Sequence, residues 1–397
     1  MNKNILNTGV QDFILKYLNT DIMSVILKKS PFPEITPQEL AEQIQAKKKC
    51  EKKLPTWFQT PKIYYPNKLN IEQSSSEIAA ENKAELVGGK TLVDLTGGMG
   101  VDTYAFSKKI EKVYYCEIDE NLSEIAAYNF GVLGVENVVV TSMDGFEFLR
   151  CSNREFDWLY LDPSRRLENK NKVFLLSDCT PNVVEHLPLL FEHSKQILVK
   201  TSPLLDLTNG LHQLTNVKEI HIVAVKNEVK EVLWVLQRGY LGKIGVKTIN
   251  IMEPKVQSFD FYLSEEKNTT PLLGPPLTFL YEPNTAVLKA GAFKLLSKKL
   301  MVYKLHDHSH LYTSRKQVEF PGRVFYIDKV IPYRKKELKS LMGTQANITV
   351  RNFPESVSTI RIKYKIRDGG DVYLFFTKLQ NDQLAIIKAS KNIPMNI

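Results

Sequence analysis

The sequence has few cysteines and no long hydrophobic run, and these absences exclude several classes of protein. Its four cysteines, among 397 residues, are too few and too widely spaced for a disulfide framework or a paired Cys-x-x-Cys metal site. No stretch reaches the roughly 18–20 apolar residues of a membrane-spanning helix, and the first residues contain no apolar signal core. Internal repeats and low-complexity tracts are also missing. We therefore predict a folded, cytoplasmic protein that binds no metal.

Length and charge divide the chain into parts. A domain contains roughly 150 residues, so 397 residues predict two or three domains. Residues 1–240 contain 28 Lys and Arg against 31 Asp and Glu, whereas residues 241–397 contain 25 against 13. A basic part beside a nearly neutral part is expected where one part carries out chemistry and the other attracts a polyanion such as RNA. A solvated, lysine-rich surface is the alternative.

The spacing of apolar residues changes along the first 240 residues. Residues 1–73 have helical spacing and predict an N-terminal helical domain. Residues 74–240 alternate short apolar runs with helical stretches, which is typical of strands buried on both faces of a parallel sheet. Helices are predicted over 74–86, where Ser-Ser-Ser-Glu offers a cap, and over 103–109. The predicted strands are 91–95, 112–118, 138–142, 158–162 and 196–200, followed by an antiparallel hairpin of 219–225 and 231–237.

Beyond residue 240 this alternation stops and prolines become frequent. Residues 241–277 are predicted to be a β-rich connector, and residues 278–321 a small α+β domain with a helix over 285–296. Residues 322–397 are predicted to form a further small domain, with strands at 323–327, 348–352, 371–377 and 383–387.

A glycine-rich loop, Asp94–Asp102, follows the first predicted strand and leads into a helix. Glycines at such a turn let the backbone approach a ligand closely and leave the helix N-terminus facing it. Open α/β sheets bind ligands at this carboxyl end of the strands. Asp94 favours a cationic ligand, because a carboxylate repels a pyrophosphate, and Thr103 stands where a dinucleotide motif has its third glycine.

Acidic residues also follow the next two predicted strands. Glu117 and Asp119 come at the end of the second strand, where a carboxylate can accept hydrogen bonds from both hydroxyls of a ribose. Asp144 follows the third strand and is placed to accept a hydrogen bond from an adenine amino group. Three strand ends are therefore expected to meet at one nucleoside.

Three segments at the ends of successive strands resemble motifs of class I S-adenosylmethionine-dependent methyltransferases: Asp-Leu-Thr-Gly-Gly-Met-Gly at 94–100, Glu-Ile-Asp at 117–119 and Asp-Pro-Ser-Arg-Arg at 162–166. The resemblance covers about residues 74–240. It implies an α/β, Rossmann-like sheet of seven strands whose last strand is antiparallel, with the methionine part of the cofactor near 94–100 and the ribose on Glu117. It implies S-adenosylmethionine as cofactor, bound by Asp94, Thr96, Gly97, Gly98, Gly100, Asp102, Glu117, Ile118, Asp119, Asp144 and Gly145.

The whole chain further resembles bacterial methyltransferases that carry a THUMP-like C-terminal domain. The closer match lies in Glu-Gln-Ser-Ser-Ser-Glu at 72–77, Glu-Pro-Asn-Thr-Ala-Val-Leu-Lys-Ala-Gly at 282–291 and Lys-Ile-Arg-Asp-Gly-Gly-Asp at 365–371. It implies a ferredoxin-like domain over 278–321, a THUMP-like domain over 322–397 and an RNA partner, because THUMP domains are associated with RNA-modifying enzymes. In this family the segment before the first strand lies near the cofactor, so Gln73 joins the predicted cofactor site.

The fourth predicted strand ends at Asp162, followed by Pro163, Ser164, Arg165 and Arg166. In amino-methylating enzymes of this class the corresponding Asp or Asn, with the proline carbonyl, binds an exocyclic amine and aligns its lone pair with the methyl group, so catalysis is chiefly positioning. We predict that Asp162, Pro163, Ser164 and Arg165 are catalytic; a helix cap is the alternative role for Asp162. Arg165 replaces the aromatic residue of the common motif, and the two arginines either bind a phosphate or pair with nearby acids.

Basic residues supply the predicted substrate contacts. Lys200 ends the fifth strand at the same crevice and is predicted to contact the substrate, as is Arg166. The run 361–367 sets its charges on one face if it is an extended strand, where they can follow phosphates, whereas a helix scatters them. The residues of this run assigned to RNA are Lys363, Lys365 and Arg367.

These residues together predict an S-adenosylmethionine-dependent methyltransferase that acts on RNA, either tRNA or rRNA, at a base nitrogen. The second hypothesis is methylation of a protein, with the basic part docking an acidic partner. The third is a non-catalytic RNA-binding protein that retains the fold, which failure to bind the cofactor would favour. A dinucleotide-dependent oxidoreductase is disfavoured by Asp94 and by the missing third glycine.

Overall fold

The computed structural model describes residues 1–165 and 175–392. The chain forms two compact units, one containing Met1–Lys218 and Leu233–Leu241 and the other containing Glu219–Val232 and Gly242–Ile397. Within residues 1–165 and 175–392, every helix is too short or too polar to cross a membrane. The prediction of five consecutive domains, with boundaries at 73, 240, 277 and 321, stays a prediction.

The first unit begins with helices that pack against its α/β part. They are α1 (Thr8–Lys16), α2 (Met23–Ile26), α3 (Pro37–Lys53), α4 (Pro55–Gln59), α5 (Lys68–Gln73) and α6 (Glu77–Ala84). Asn129, in the later helix Glu120–Val132, accepts a hydrogen bond from Tyr64 N (2.9 Å) and donates one to Tyr64 O (2.8 Å). Ile35, Leu40 and Ile44 share a core with Ile125 of the same helix. The N-terminal helices are therefore held by apolar packing and by a satisfied backbone pair.

The rest of the first unit alternates strands and helices. Its elements are β1 (Thr91–Asp94), α7 (Val101–Ser107), β2 (Lys112–Glu117), α8 (Glu120–Val132), β3 (Val138–Ser142), α9 (Gly145–Cys151), β4 (Phe156–Leu161), β5 (Ser164–Arg165), β6 (Cys179–Thr180), α10 (Val183–His193), β7 (Ser194–Thr201) and α11 (Leu207–Gln213). Five strands pair in parallel in the order β7-β4-β1-β2-β3. The five predicted strands are confirmed, each with its start within two residues and its end within one.

Two helices differ from the prediction at their starts. The helix predicted over 74–86 is α6, which begins at Glu77 because the third serine of the run, Ser76, is the cap and accepts a hydrogen bond from Ala79 N (3.3 Å). The helix predicted over 103–109 is α7, which begins directly after Gly100.

The predicted hairpin is formed by β8 (Val217–Val225) and β9 (Glu228–Gln237). These strands are neighbours in the strand order. Lys226 and Asn227 join them with positive φ angles of 51° and 62°, as both central residues of a type I′ hairpin turn require. Within the second unit, β8 pairs in parallel with β10 (Gly245–Ile251), which pairs antiparallel with β11 (Val256–Tyr262); α12 (Leu263–Lys267) follows.

A further sheet of the second unit contains seven strands among the described residues. In chain order the elements are β12 (Phe279–Pro283), α13 (Thr285–Ala290), α14 (Phe293–Lys299), β13 (Tyr303–Lys304), β14 (Tyr312–Ser314), β15 (Gly322–Pro332), α15 (Lys335–Leu338), β16 (Asn347–Arg351), α16 (Val357–Tyr364), β17 (Val372–Lys378) and β18 (Leu384–Ser390). The strand order is β13-β14-β12-β15-β18-β17-β16. The single helix predicted over 285–296 is two helices, because Gly291 ends α13 in the left-handed conformation with a φ of 72°.

The extended-strand alternative for residues 361–367 is wrong. Ser356 caps α16 by accepting a hydrogen bond from Thr359 N (3.2 Å), and Ile360 and Tyr364 are buried one helical turn apart. The helix ends at Tyr364, and the next residue, Lys365, has a left-handed φ of 52°. The charges of this run therefore form no continuous row: Lys363 pairs with Glu355 at 2.9 Å, whereas Lys365 and Arg367 are exposed beyond the helix.

We predict that Gly97→Ala destabilises the protein by about 1–3 kcal/mol, because a Cβ there would lie 2.1 Å from Cε2 of the buried Tyr115 ring. Urea unfolding measures this change. Gly131→Ala is the matched control: a Cβ at this exposed position in α8 meets nothing within 4 Å, so the change is expected to stabilise by about 0.5–1 kcal/mol. Equal effects at the two positions would contradict the packing argument.

Candidate functional site

The site lies where β1 and β4 end side by side. From this pair the strand order runs outward through β2 and β3 on one side and β7 on the other, and open α/β sheets bind ligands at such a reversal. Asp94, at the end of β1, is 1% exposed and accepts hydrogen bonds from Thr96 N (3.1 Å) and Thr103 Oγ1 (2.6 Å). Thr96 Oγ1 in turn accepts a hydrogen bond from Asp162 N (2.7 Å). Thr96 thus links Asp94, the last residue of β1, to Asp162, the residue after β4.

The glycine loop is attached to the end of β2. Gly97 N donates to Cys116 O (2.8 Å), and Gly98 N donates to Glu117 Oε2 (2.7 Å). The hydroxyl of Tyr115 donates to Gly98 O (2.6 Å). Gly100 has a φ of 83°, and a Cβ there would lie 2.6 Å from Cζ of Phe130. Packing and backbone conformation both require glycine in this loop.

The segment after β2 places a carboxylate beside an exposed apolar side chain. Glu117 is half-buried, and its Oε1 accepts a hydrogen bond from Asp119 N (2.9 Å). Ile118 is 72% exposed although it is a large apolar residue. Asp119 caps α8 by accepting a hydrogen bond from Leu122 N (3.0 Å). This edge therefore offers acceptor oxygens and an apolar surface to one ligand.

Asp144 and Gly145 stand at the start of α9. Asp144 Oδ1 accepts hydrogen bonds from Phe146 N (2.9 Å) and Glu147 N (3.1 Å), so this carboxylate caps the helix. A Cβ on Gly145 would lie 2.5 Å from Leu95 O, so the helix start approaches the end of β1 closely. Both residues thus stand beside the chain segment that begins the glycine loop.

Asp102 is the centre of a buried polar network. Its Oδ2 accepts hydrogen bonds from Ser75 Oγ (3.0 Å) and Tyr160 OH (2.6 Å), and its Oδ1 lies 3.3 Å from Nζ of the fully buried Lys83. Burial acts to raise the pKa of Asp102, but the charges of Lys83 and Lys200 and these hydrogen bonds hold it below its usual value. The contacts of Asp102 with Lys83 and Tyr160 tie α6, β4 and α7 together. Gln73, two residues before Ser75, is exposed.

Asp162 forms an ion pair with Lys200, at the ends of β4 and β7. Pro163 is buried and Ser164 exposed, and Ser164–Arg165 forms the strand β5 paired with β6. The alternative in which Asp162 caps a following helix is therefore wrong. Arg166 lies outside the described residues.

Comparisons with known proteins agree with this geometry. Family models match a ferredoxin-like domain at residues 279–321 and a THUMP domain-like segment at residues 322–389. The crystal structure of a candidate methyltransferase from Porphyromonas gingivalis W83 is 32% identical, with a TM-score of 0.89 and 99% of each chain covered. An S-adenosylmethionine-dependent methyltransferase of Mycobacterium tuberculosis (strain H37Rv) is 20% identical over 325 residues, covering 80% of this chain and 86% of the relative. The chain belongs to this family of THUMP-like methyltransferases.

The cofactor of this methyltransferase is S-adenosylmethionine. The molecule carries an adenosine and a methionine part with ammonium, carboxylate and sulfonium groups. The residues at the strand ends fit this molecule. The carboxylate of Glu117 can accept hydrogen bonds from a diol, and Ile118 offers an apolar surface. The space beside Gly98 is open, since a side-chain Cβ at this position would have no contact closer than 3.8 Å. The assignment of individual residues to the cofactor stays a prediction.

Sequence reasoning missed Lys83, Tyr160 and Thr103, which hold the two buried carboxylates of the methyltransferase. One signal was available for Lys83: it follows Ala79 and Ala80 by four and three residues and therefore lies on the apolar face of α6. A lysine on such a face needs a buried acidic partner. The partner, Asp102, is 19 residues further along, and only the packing of α6 on α7 brings them together.

Asp94 carries an unusual proton affinity. Burial, aided by the negative charges of Asp102 and Asp162, raises the pKa of Asp94 to about 7, against the hydrogen bonds from Thr103 and Thr96. A raised carboxyl pKa in the folded state contributes stability that is complete below the unfolded pKa of about 3.9 and is lost as the pH rises through about 7. The free energy of unfolding is thus expected to fall across this window.

We predict that Asp94→Asn removes this dependence, because the amide does not ionise. Its oxygen can accept the hydrogen bond from Thr96 N, and its NH2 group can donate one to the Thr103 hydroxyl. Between pH 5 and pH 8 the free energy of unfolding of the wild type should fall relative to the variant by an amount on the order of 1–3 kcal/mol, measured by urea unfolding. Asp157→Asn is the control: hydrogen bonds from Thr91 and Lys90 lower the pKa of this exposed carboxyl, so its effect should be the same at both pH values. Parallel pH profiles for wild type and Asp94→Asn would refute the assignment.

Proposed function

We propose that this methyltransferase methylates RNA at a base nitrogen and that its basic C-terminal part binds the RNA. The observation that carries the RNA part is the THUMP domain-like match at residues 322–389, within a region of 25 Lys and Arg against 13 Asp and Glu. An excess of this size attracts phosphates by counterion release and steers a polyanion toward the protein. The association of THUMP domains with RNA modification supports the same substrate.

The proposed reaction centre is Asp162. When bound, S-adenosylmethionine supplies a methyl group on a sulfonium, which a nitrogen lone pair can attack directly. Asp162, at the carboxyl end of β4, accepts an N–H of the exocyclic amine and so directs the lone pair toward the methyl group. The nitrogen–methyl bond forms as the sulfur–methyl bond breaks, and the released proton goes to the carboxylate or to water.

Lys200 has a supporting role in this proposal. Its ammonium is nearly buried and paired with Asp162, which fixes the orientation of the carboxylate. An orientation fixed before the substrate arrives lowers the entropic cost of aligning the amine. The proposal assigns the wall of the substrate crevice to Pro163, Ser164 and Arg165. It assigns a contact with an RNA phosphate to Arg166.

The proposal also assigns residues at the ends of β1, β2 and β3 to the parts of the cofactor. Glu117 accepts hydrogen bonds from the ribose hydroxyls, and Asp144 accepts one from the adenine amino group. Ile118 contacts the adenine ring. The loop backbone from Thr96 to Gly100 receives the methionine part, with Asp94 and Asp102 supplying negative charge beneath it. Asp119, Gly145 and Gln73 complete the rim.

The first experiment is a transfer assay with methyl-labelled S-adenosylmethionine. Total RNA and total protein from a strain lacking this gene supply unmodified targets, and each is incubated separately with the purified enzyme. Label in RNA is expected, followed by mapping of the modified nucleotide. Label in protein alone would favour the protein-methylation hypothesis. No label in either, with cofactor binding measured, would reject the RNA proposal.

We predict that Asp162→Ala lowers methyl transfer by at least about 100-fold while cofactor affinity stays within about 3-fold, because alignment of the amine is lost and the cofactor contacts remain. Single-turnover transfer and calorimetric titration measure the two quantities. Asp162→Asn should retain part of the activity, since its amide oxygen still accepts a hydrogen bond. Asp157→Asn, on the same strand at its opposite end, is the control and should transfer at the wild-type rate. Full turnover by Asp162→Ala would remove this residue from the mechanism.

A further inference from the structure

Two arginines of the second unit share one buried glutamate. Glu282, on β12, has a side chain that is only 5% exposed. Its Oε2 accepts a hydrogen bond from Arg323 Nε (2.7 Å) and another from Arg323 Nη2, and its Oε1 accepts one from Arg351 Nη2 (2.9 Å). We call these three residues the arginine clamp.

Strand pairing holds Glu282 beside Arg323, and a loop contact holds the chain next to Arg351. Glu282 faces Arg323 across the antiparallel pair of β12 and β15. Arg351 is the last residue of β16, which is separated from β12 by three strands in the sheet order. The neighbour of Arg351, Asn352, donates from Nδ2 to His306 Nδ1 (3.1 Å), in the loop between β13 and β14. The two guanidiniums are therefore held in place by tertiary structure.

The clamp has more donors than its carboxylate uses. A guanidinium carries five N–H donors; Arg323 places donors of two nitrogens on Glu282, and Arg351 places one. Within residues 1–165 and 175–392, the buried Arg351 Nε has no hydrogen-bond partner. The side chains of Arg323 and Arg351 are 41% and 35% exposed, so a ligand from solvent can reach the guanidiniums.

The clamp itself carries a net positive charge. Two guanidiniums against one carboxylate leave one positive charge. The pKa of the neighbouring His310 falls to about 4, first because the ring is buried and then because Lys304, Arg351 and His308 carry positive charge close to it. A neutral His310 neither adds to nor offsets this charge at pH 7. The clamp is thus a local excess of positive charge on rigid donors.

A purely structural role accounts for the clamp less well. Buried ion pairs often stabilise no better than apolar residues of the same volume, so joining strands does not require two partly exposed arginines. A planar guanidinium presents two parallel donors to a phosphate, and fixing it beforehand lowers the entropy lost on binding.

We propose that Arg323 and Arg351, held by Glu282, bind a backbone phosphate of the RNA substrate. This inference rests on the proposed function and adds a specific contact site to it. It places one recognition point at the junction of the ferredoxin-like and THUMP-like segments, since Glu282 belongs to the first match and Arg323 and Arg351 to the second.

The test is binding of the full-length protein to fluorescein-labelled bulk tRNA and, separately, ribosomal RNA, followed by fluorescence anisotropy over a series of KCl concentrations. The double variant Arg323→Gln, Arg351→Gln is expected to bind about 10-fold more weakly and to lower the slope of log affinity against log salt by about 1. Arg238→Gln is the matched control, because Arg238 is equally exposed at 40% and pairs with Glu155; it should bind like the wild type.

Thermal unfolding of each variant tests whether the clamp also supports the fold. The double variant Arg323→Lys, Arg351→Lys keeps both charges and the pairing with Glu282, and should lose affinity while keeping the salt slope, since lysine is not bidentate. If the glutamine variant does not fold, this lysine variant decides the question, and wild-type affinity would overturn the clamp as a phosphate site.

Other outcomes distinguish failure of the clamp as a phosphate site from failure of RNA as the substrate. RNA binding with wild-type affinity and slope in the folded glutamine variant overturns the clamp alone. No binding of either RNA by the wild type overturns the RNA substrate together with the clamp. Displacement of RNA by polyglutamate as effective as by poly(U) of equal charge would assign the surface to an acidic protein and overturn the phosphate site.

Discussion

The parallel pairing of β1 with β4 is the constraint on which the candidate site depends. Leu95 N donates to Tyr160 O (3.0 Å), and the pair leaves Asp94 and Asp162 at adjacent strand ends joined through Thr96. The strand order diverges on either side of this pair, which is the position at which open α/β sheets bind ligands. The carboxylates that we propose to face the cationic cofactor and the amine, Asp94 and Asp162, are thus at the ends of adjacent strands.

Two of the three carboxylates near the glycine loop, those of Asp102 and Asp162, are paired with lysines. Lys83 compensates Asp102 and Lys200 compensates Asp162, whereas Asp94 accepts hydrogen bonds from a hydroxyl and a backbone N–H and pairs with no lysine of residues 1–165 and 175–392. Lysine ammonium groups thus pair with two of the carboxylates, while burial raises the pKa of Asp94 to about 7. A cationic cofactor near this carboxylate would favour its ionised form, so cofactor binding and proton release are thermodynamically linked.

The two C-terminal family matches share one sheet. The ferredoxin-like match ends at residue 321 and the THUMP domain-like match begins at 322, the first residue of β15. Strand β15 pairs with β12 on one side and with β18 on the other. The two segments therefore form a continuous hydrogen-bonded sheet within the second unit, and Glu282 reaches across their junction to both arginines.

The sequence by itself determined the local structure and the order of the motifs. Continuous apolar runs identified β1 to β4 and β7, and a glycine loop with acids at strand ends predicted a ligand site there, because these signals lie within a few consecutive residues. Helix α16 was not decided by pattern alone, since alternating charges at 361–367 suit a strand, and the burial of Ile360 and Tyr364 made it a helix. The pairs Lys83 with Asp102, Lys200 with Asp162 and Arg351 with Glu282 are 19 to 69 residues apart in the chain. Only the tertiary structure decided them, because burial creates the need for a partner and packing selects which one is within reach.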